Sequence, residues 1–213
     1  MKWKDKLNLL FSITSDLKAI HSQKIIHRDL HSDNILQDNL YSAYIADLGL
    51  SIPYLKQKDY EVYGVLPYID PEVLLGKPYT TASDIYSFGI IMWEILYGRT
   101  VSCNSKLDDK DIQLQICYND LRPPVNKEAP QCYVDLMKLC WYKESGNRPT
   151  AEELCKTFRK WQSDEQILTE LHKSKLKLPE YTENSCKDVS NCGSKLISCN
   201  SKDLIISFTD FNG

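Results

Sequence analysis

Between Ile85 and Tyr97 the chain is apolar almost all the way round a helical wheel, with only Ser87 and Glu94 breaking the run. A helix without a polar face must be wrapped on every side by the rest of the chain, so this segment predicts a central buried helix. Gly98 supplies its stop, because glycine accepts the left-handed conformation that ends helices. The run is shorter than the ~18 apolar residues of a membrane span, so the reading is a protein core and no membrane association. With 213 residues the chain is long enough to build one sizeable core around such a helix.

The flanking patterns are shorter. Leu7, Leu10, Phe11, Leu17 and Ile20 recur at helical spacing, so residues 3–22 read as an amphipathic helix, with Lys4, Asp5, Asp16 and Lys18 mostly on its other side. Small β-type runs follow at Ile25-Ile26, Ile35-Leu36 and Tyr44-Ile45. From Ser51 to Pro71 the polar character suits a long functional loop. Beyond Ala82 the pattern is helical, with a helix expected over Gln131 to Trp141 and another capped by Thr150 and Glu153. Past Asp164, Ser, Lys, Asn and Cys dominate, and two near-repeats appear, Ser194–Ser198 and Ser201–Ser207. Residues 164–213 therefore read as a low-complexity, disordered tail with a short β-prone end. Few strands followed by many helices predict an α+β, mainly α fold.

Two segments carry chemistry: His27-Arg28-Asp29-Leu30-His31-Ser32-Asp33-Asn34, and Asp47-Leu48-Gly49 eighteen positions after Asp29. Alone, each aspartate reads as a turn residue. Together they match what phosphoryl transfer requires, a group to accept a hydroxyl proton and oxygen ligands for a hard cation. Asp29 suits the first role. Asn34 and Asp47 suit the second, since Mg2+ prefers carboxylate and amide oxygens. Gly49 is expected to let the backbone turn sharply after the metal ligand.

These residues, H-R-D-L-x-x-x-N followed by D-L-G, resemble the catalytic loop and metal motif of eukaryotic-type protein kinases, with Leu48 where the family usually has Phe. Further motifs follow in the family's order. Asp70-Pro71-Glu72 is similar to A-P-E, with Asp70 in place of Ala, and Asp84 to Gly89 is similar to the start of the central helix. Cys140-Trp141 and Arg148-Pro149-Thr150 resemble the closing signature. The resemblance covers roughly residues 3–161. It implies a partial kinase domain over 1–163, the C-terminal lobe, with ATP and Mg2+ as cofactors and a protein as substrate.

The same resemblance implies roles for single residues. Asp29 is the catalytic base, and His31 stands where a residue contacting the γ-phosphate is placed. Asn34 and Asp47 ligate Mg2+, and Leu36 lies under adenine. His27 and Leu48 stack inside the lobe, while Asp84 braces the catalytic loop. Arg28 meets an activation-segment phosphate, and Glu72 pairs with Arg148. Gly64-Val65-Leu66-Pro67-Tyr68 resembles the serine/threonine pattern G-T-x-x-Y, although Val65 replaces the threonine, so the resemblance implies Ser or Thr acceptors with Tyr as the alternative. Acceptors between Asp47 and Glu72 are Ser51 and four tyrosines, Tyr54, Tyr60, Tyr63 and Tyr68.

One departure shapes the functional expectation. No glycine precedes Gly49, and Lys2, Lys4 and Lys6 lie at a helix start, not on a strand. The glycine loop and paired lysine that clamp ATP phosphates are therefore not in this sequence, and the chain is expected to be inactive alone. The alternative reading is a non-catalytic, kinase-like binding scaffold, with a protein partner on the apolar face that the small lobe normally covers. A net charge of −3 gives no basic stripe for nucleic acid. The eight cysteines include no C-x-x-C pair, which fits thiols in a reducing cytoplasm. Ser12, Thr14 and Ser15 interrupt the apolar stretch after Lys2, Lys4 and Lys6, against a secretory leader.

Overall fold

A computed structural model describes residues 1–39, 42–54, 62–101, 107–174 and 195–197. Helix α1 (Trp3–Ser22) leads into strand β1 (Ile25–Ile26). A hairpin of β2 (Ile35–Asn39) and β3 (Ser42–Ile45) follows, then β4 (Ile52–Pro53) and β5 (Val62–Gly64). The remainder is mainly helical: α2 (Pro71–Leu74), α3 (Thr81–Tyr97), α4 (Asp109–Tyr118), α5 (Gln131–Cys140), α6 (Ala151–Trp161) and α7 (Glu165–Lys173). A last strand, β6 (Lys195–Ile197), pairs antiparallel with β5, while β1 pairs with β4 and β2 with β3.

Helix α3 is the axis of the larger core. Phe88, Met92 and Trp93 are completely buried, with Tyr86, Ile90 and Leu96 almost so. Two large side chains of this core place their polar atoms on backbone carbonyls: Trp93 Nε1 donates to the Pro124 carbonyl at 2.8 Å, and the Tyr133 hydroxyl to the Met92 carbonyl at 2.8 Å. Helix α5 approaches α3 so closely at Gly89 that a Cβ there would stand 2.9 Å from Cys140 Cβ and 3.2 Å from the Trp141 nitrogen. Gly98 ends α3 at φ 67°, in the left-handed region, and its N–H donates to the Glu94 carbonyl.

Helix α1 lies against α3 and α6 and buries Leu7, Leu10, Ile13 and Leu17. Phe11 and Ile20 are only half-buried. Helix α6 starts with a reciprocal cap: Thr150 Oγ1 accepts from the Glu153 N–H, and Glu153 Oε2 accepts from the Thr150 N–H. A second, smaller core of Ile26, Val62, Leu66, Ile69, Val73 and Ile116 sits between β5, α2 and α4.

The composition shift at Asp164 falls on a helix start. Asp164 Oδ1 accepts from the N–H groups of Gln166 and Ile167, and Leu171 on α7 is completely buried against the main core. An N-cap side chain and one buried leucine are enough to hold nine residues that by composition read as tail. The rest of that expectation, with Cys186, Cys192, Cys199 and most of both near-repeats, lies outside the described residues. None of Cys117, Cys132, Cys140 and Cys155 is in a disulfide. Among the described residues no helix is long and apolar enough to cross a membrane.

Candidate active site

Hairpin pairing brings the two chemical segments together. Ile35 pairs with Ile45 and Leu36 with Tyr44, so Asn34 enters the hairpin where Asp47 leaves it. The Ala46 N–H donates to the Asn34 carbonyl at 2.8 Å, which extends the ladder to the residue before Asp47. Helix α1 fixes the hairpin from behind, since Asp16 Oδ2 accepts from the Ile45 N–H at 3.0 Å. Sequence patterning put Asp16 on the outer side of α1 and gave no sign of this contact.

Asp29 is buried, with 6% of its surface exposed. Asn34 Nδ2 donates to the Asp29 carbonyl at 2.8 Å, which ties the amide to the loop. His31, also buried, holds Nε2 3.7 Å from Asp29 Oδ2 and Nδ1 3.9 Å from Asp33 Oδ2. Gly64 closes the other side: a Cβ built there would lie 3.5 Å from Asp29 Oδ1. The end of β5 therefore runs directly past the aspartate.

The loop carrying Asp29 is held from α3. Asp84, almost fully buried in the first turn of that helix, accepts from the N–H of His27 at 2.9 Å and of Arg28 at 3.0 Å. His21 Nε2 meets the same carboxylate at 2.8 Å, a third partner that no sequence signal indicated. Arg28 stands at φ 72°, a conformation costly for a side chain with a Cβ. Both Asp84 carboxylate oxygens are engaged by successive N–H groups, of His27 and of Arg28 itself, which holds the backbone where it enters the left-handed residue. The buried His27 ring reaches the Ala46 carbonyl through Nε2 at 3.1 Å and so ties the loop to the residue before Asp47. The Arg28 guanidinium lies 4.8 Å over the Tyr79 ring, and Tyr79 in turn donates to the Tyr63 carbonyl of β5.

Asp47 itself adopts φ 57°, and its Oδ1 accepts from the Gly49 N–H at 3.1 Å. The left-handed residue is thus the aspartate, not Gly49. What Gly49 provides is room: a Cβ there would stand 3.0 Å from Asp47 Oδ1. Leu48 departs from its expected stack. It is 53% exposed, because the Ser51 N–H donating to the Leu48 carbonyl closes a tight turn that leaves the side chain at the surface. Leu36 and its cross-strand partner Tyr44, each 46% exposed, share one face of the hairpin.

The expected Glu72–Arg148 pair is also corrected. Arg148 pairs with Asp70 through two nitrogens, at 2.5 and 3.1 Å, with both side chains fully buried. Its remaining donors reach the carbonyls of Tyr142, Lys143 and Ala82. Asp70 also caps α2 by accepting from the Glu72 N–H at 2.9 Å. With an aspartate at position 70 the guanidinium takes that carboxylate, and Glu72 turns to Lys77 at 2.8 Å. Burial works to raise the Glu72 carboxyl, but hydrogen bonds from Lys77 and Ser145 and the charges of Lys77 and Arg148 hold it below its ordinary range.

Of the activation-segment acceptors, Tyr68 is buried, its hydroxyl donating to Glu94 Oε1 at 2.7 Å and meeting Ser32 Oγ at 3.1 Å. Burial, then the neighbouring Glu94 charge, push its hydroxyl far up, and burial pushes the Glu94 carboxyl up as well. Tyr54 is exposed, Tyr63 half-buried, and Tyr60 lies outside the described residues.

The donor set suits one hard cation. With Asn34 Nδ2 committed to the Asp29 carbonyl, the amide oxygen is the atom left for a metal, and Asp47 is exposed beside it. Among the described residues no group of three or more His, Cys, Asp or Glu side chains is arranged to hold a metal. An amide plus one carboxylate, completed by water and phosphate oxygens, is the Mg2+ pattern and not that of zinc.

A family model described as protein tyrosine and serine/threonine kinase matches residues 1–158. Among curated relatives, a "Probable serine/threonine-protein kinase" of Dictyostelium discoideum is 34% identical over 149 residues, covering 68% of this chain and 16% of the relative. Two proteins of the same organism named "Probable LIM domain-containing serine/threonine-protein kinase" are each 31% identical over 157 residues, covering 73% of this chain and 16% and 24% of the relatives. The chain thus spans less than a quarter of the length of these relatives.

Proposed function

The chain belongs to the protein tyrosine and serine/threonine kinase family, and from that premise we propose that residues 1–163 are its catalytic-loop lobe, built to transfer the γ-phosphoryl group of Mg-ATP to Ser or Thr hydroxyls of proteins. In this reading Asp29 accepts the proton of the incoming hydroxyl, Asn34 and Asp47 hold the cation, and His31 lies beside the transferred group. Arg28 serves an activation-segment phosphate and Leu36 lies under the adenine. The observation that carries the reading is the hairpin, which sets Asn34 and Asp47 side by side while the Asn34 amide is bonded to the Asp29 carbonyl. Ser/Thr acceptors are favoured by the buried Tyr68–Glu94 contact after Gly64 and by the names of the relatives. A cytoplasmic location is part of the same proposal, supported by the described cysteines, Cys117, Cys132, Cys140 and Cys155, which are free thiols.

These residues alone include no glycine ahead of Gly49. Losing even one preorganised charge-stabilising donor costs roughly 10²–10³ in rate, so the 213 residues by themselves should show no useful turnover. Fused behind the glycine-loop lobe of a protein kinase, the chain should transfer radiolabelled phosphate to serine or threonine, and Asp29→Asn should lower the rate by about 10²–10⁴-fold. A fusion equally active with Asn at position 29, or labelling only tyrosine, contradicts the proposal.

A second reading is favoured by one observation, the exposed face of Leu36, Tyr44 and Leu48 on and beside the hairpin. It is a non-catalytic scaffold that docks a protein partner through this face. In the fusion assay it corresponds to folded protein without transfer.

A further inference from the structure

Strand β5 has both edges occupied. On one side the Tyr79 hydroxyl donates to the Tyr63 carbonyl at 2.8 Å. On the other lies β6, a segment 130 residues later in the chain, with Val62 opposite Ile197, Tyr63 opposite Leu196 and Gly64 opposite Lys195. Ile197 is 4% exposed and inserts into the smaller core with Val62, Leu66 and Ile69. Gly64, the residue opposite Lys195, also stands against the Asp29 carboxylate, so the paired strand ends beside that side chain.

We propose that residues 195–197 are a built-in occupant of a peptide-binding edge, a cis strand that masks the side of β5 where an extended segment with an aliphatic residue docks. Main-chain pairing supplies the alignment and a single pocket, filled by Ile197, supplies the selectivity, which is the arrangement of strand addition to an exposed edge. Three paired residues are too few to hold by themselves. The strand stays because it is tethered: α7 is anchored by Leu171, and only residues 175–194 separate it from β6. Because β6 belongs to the same chain, its pairing with β5 is intramolecular, at an effective concentration in the ~mM range. The contact is therefore displaceable in principle and dominant in practice, so the chain blocks its own approach to Asp29. Lys195-Leu196-Ile197 is flanked by Ser194 and Ser198, so the masking segment is small and polar on either side of its aliphatic pair.

This inference rests on the phosphotransfer reading for its consequence, but its test reads binding alone. A labelled acetylated peptide Gly-Ser-Lys-Leu-Ile-Ser, the sequence of residues 193–198, is titrated into the full chain and into Ile197→Asp, with hydrogen exchange followed at Val62 and Gly64, the β5 amides on the side of β6. Ile197→Asp should lose protection at those amides while keeping the melting temperature of the parent. It should bind the peptide roughly tenfold or more tightly than the unaltered chain, since the tethered competitor is gone. The peptide should restore protection, and its Ile→Asp version should not. Ile197→Val should behave as the parent. Equal peptide binding by the two chains overturns the proposal, as does unchanged exchange at β5 in Ile197→Asp. Absence of peptide binding by Ile197→Asp overturns it equally, whatever the fusion assay shows about transfer.

Discussion

Arg148→Met should destabilise the protein by about 3–5 kcal/mol, among the largest single losses available in this fold. The substitution keeps the apolar volume but leaves the Asp70 carboxylate buried, together with carbonyls of Tyr142, Lys143 and Ala82 that the guanidinium satisfies. A buried charge without its partner is worse than no pair at all. For a domain of this size the loss corresponds to roughly 6–20 °C in melting temperature. Removing the other partner should hurt less. Asp70→Ala recreates the alanine of the family motif, and the Glu72 carboxyl already feels the Arg148 charge and can take it over. Urea unfolding of both variants measures the asymmetry. An Arg148→Met loss under about 1 kcal/mol, or an Asp70→Ala loss equal to it, contradicts the pairing described.

The second large effect falls on Asp84. Asp84→Ala strips the acceptor from two buried N–H groups and from His21 at once. Each unsatisfied donor costs about 1–3 kcal/mol, so the sum should be about 3–5 kcal/mol. The loss should also be local. With Asp84 gone the left-handed Arg28 loses the acceptor of its N–H, and the loop should relax before the helices unfold. Hydrogen exchange at His27 and Arg28 should accelerate far more than at Ile90 or Met92 in the middle of α3. Asp84→Asn retains one acceptor oxygen and should give an intermediate result. Uniform acceleration over loop and helix, or an alanine variant as stable as the parent, opposes this view of the brace.

Periodic, local features could be read directly from the residues. Helix α1 ends where its apolar spacing does, and α3 was evident because thirteen residues without a polar face have only one place to go. The reciprocal cap of Thr150 and Glu153 is a three-residue pattern and needs no tertiary information. At the candidate site, the β-type runs Ile35-Leu36 and Tyr44-Ile45 were legible, and they fall on the two strands that pair between Asn34 and Asp47.

What escaped the sequence depends on contacts between distant segments. The choice of Arg148 between Asp70 and Glu72 is made by packing between segments 78 positions apart, and spacing alone does not encode that. His21 and Asp16 sit on the less apolar side of an amphipathic helix, where periodicity assigns residues to solvent, yet each bonds a neighbouring element. Leu48 shows the reverse failure, a large apolar residue carried to the surface by the turn that follows Asp47. The partner of β5 lies beyond a stretch of tail-like composition, so its three residues carried only a β-prone signal.

The account depends on one cation-binding centre shared by Asn34 and Asp47 beside Asp29. Its most direct test is a titration of the full chain with Mn2+ in place of Mg2+, in the presence of ADP, read by paramagnetic broadening of assigned amide resonances. Broadening should centre on the Asn34 side-chain amide and the backbone of Asp47 and Gly49, leave α5 and α6 untouched, and disappear in Asp47→Ala. Broadening spread over the exposed carboxylates of Glu152, Asp109 and Asp120, with none at Asn34 and no change in Asp47→Ala, would mean that these residues hold no metal and that the proposed centre does not exist.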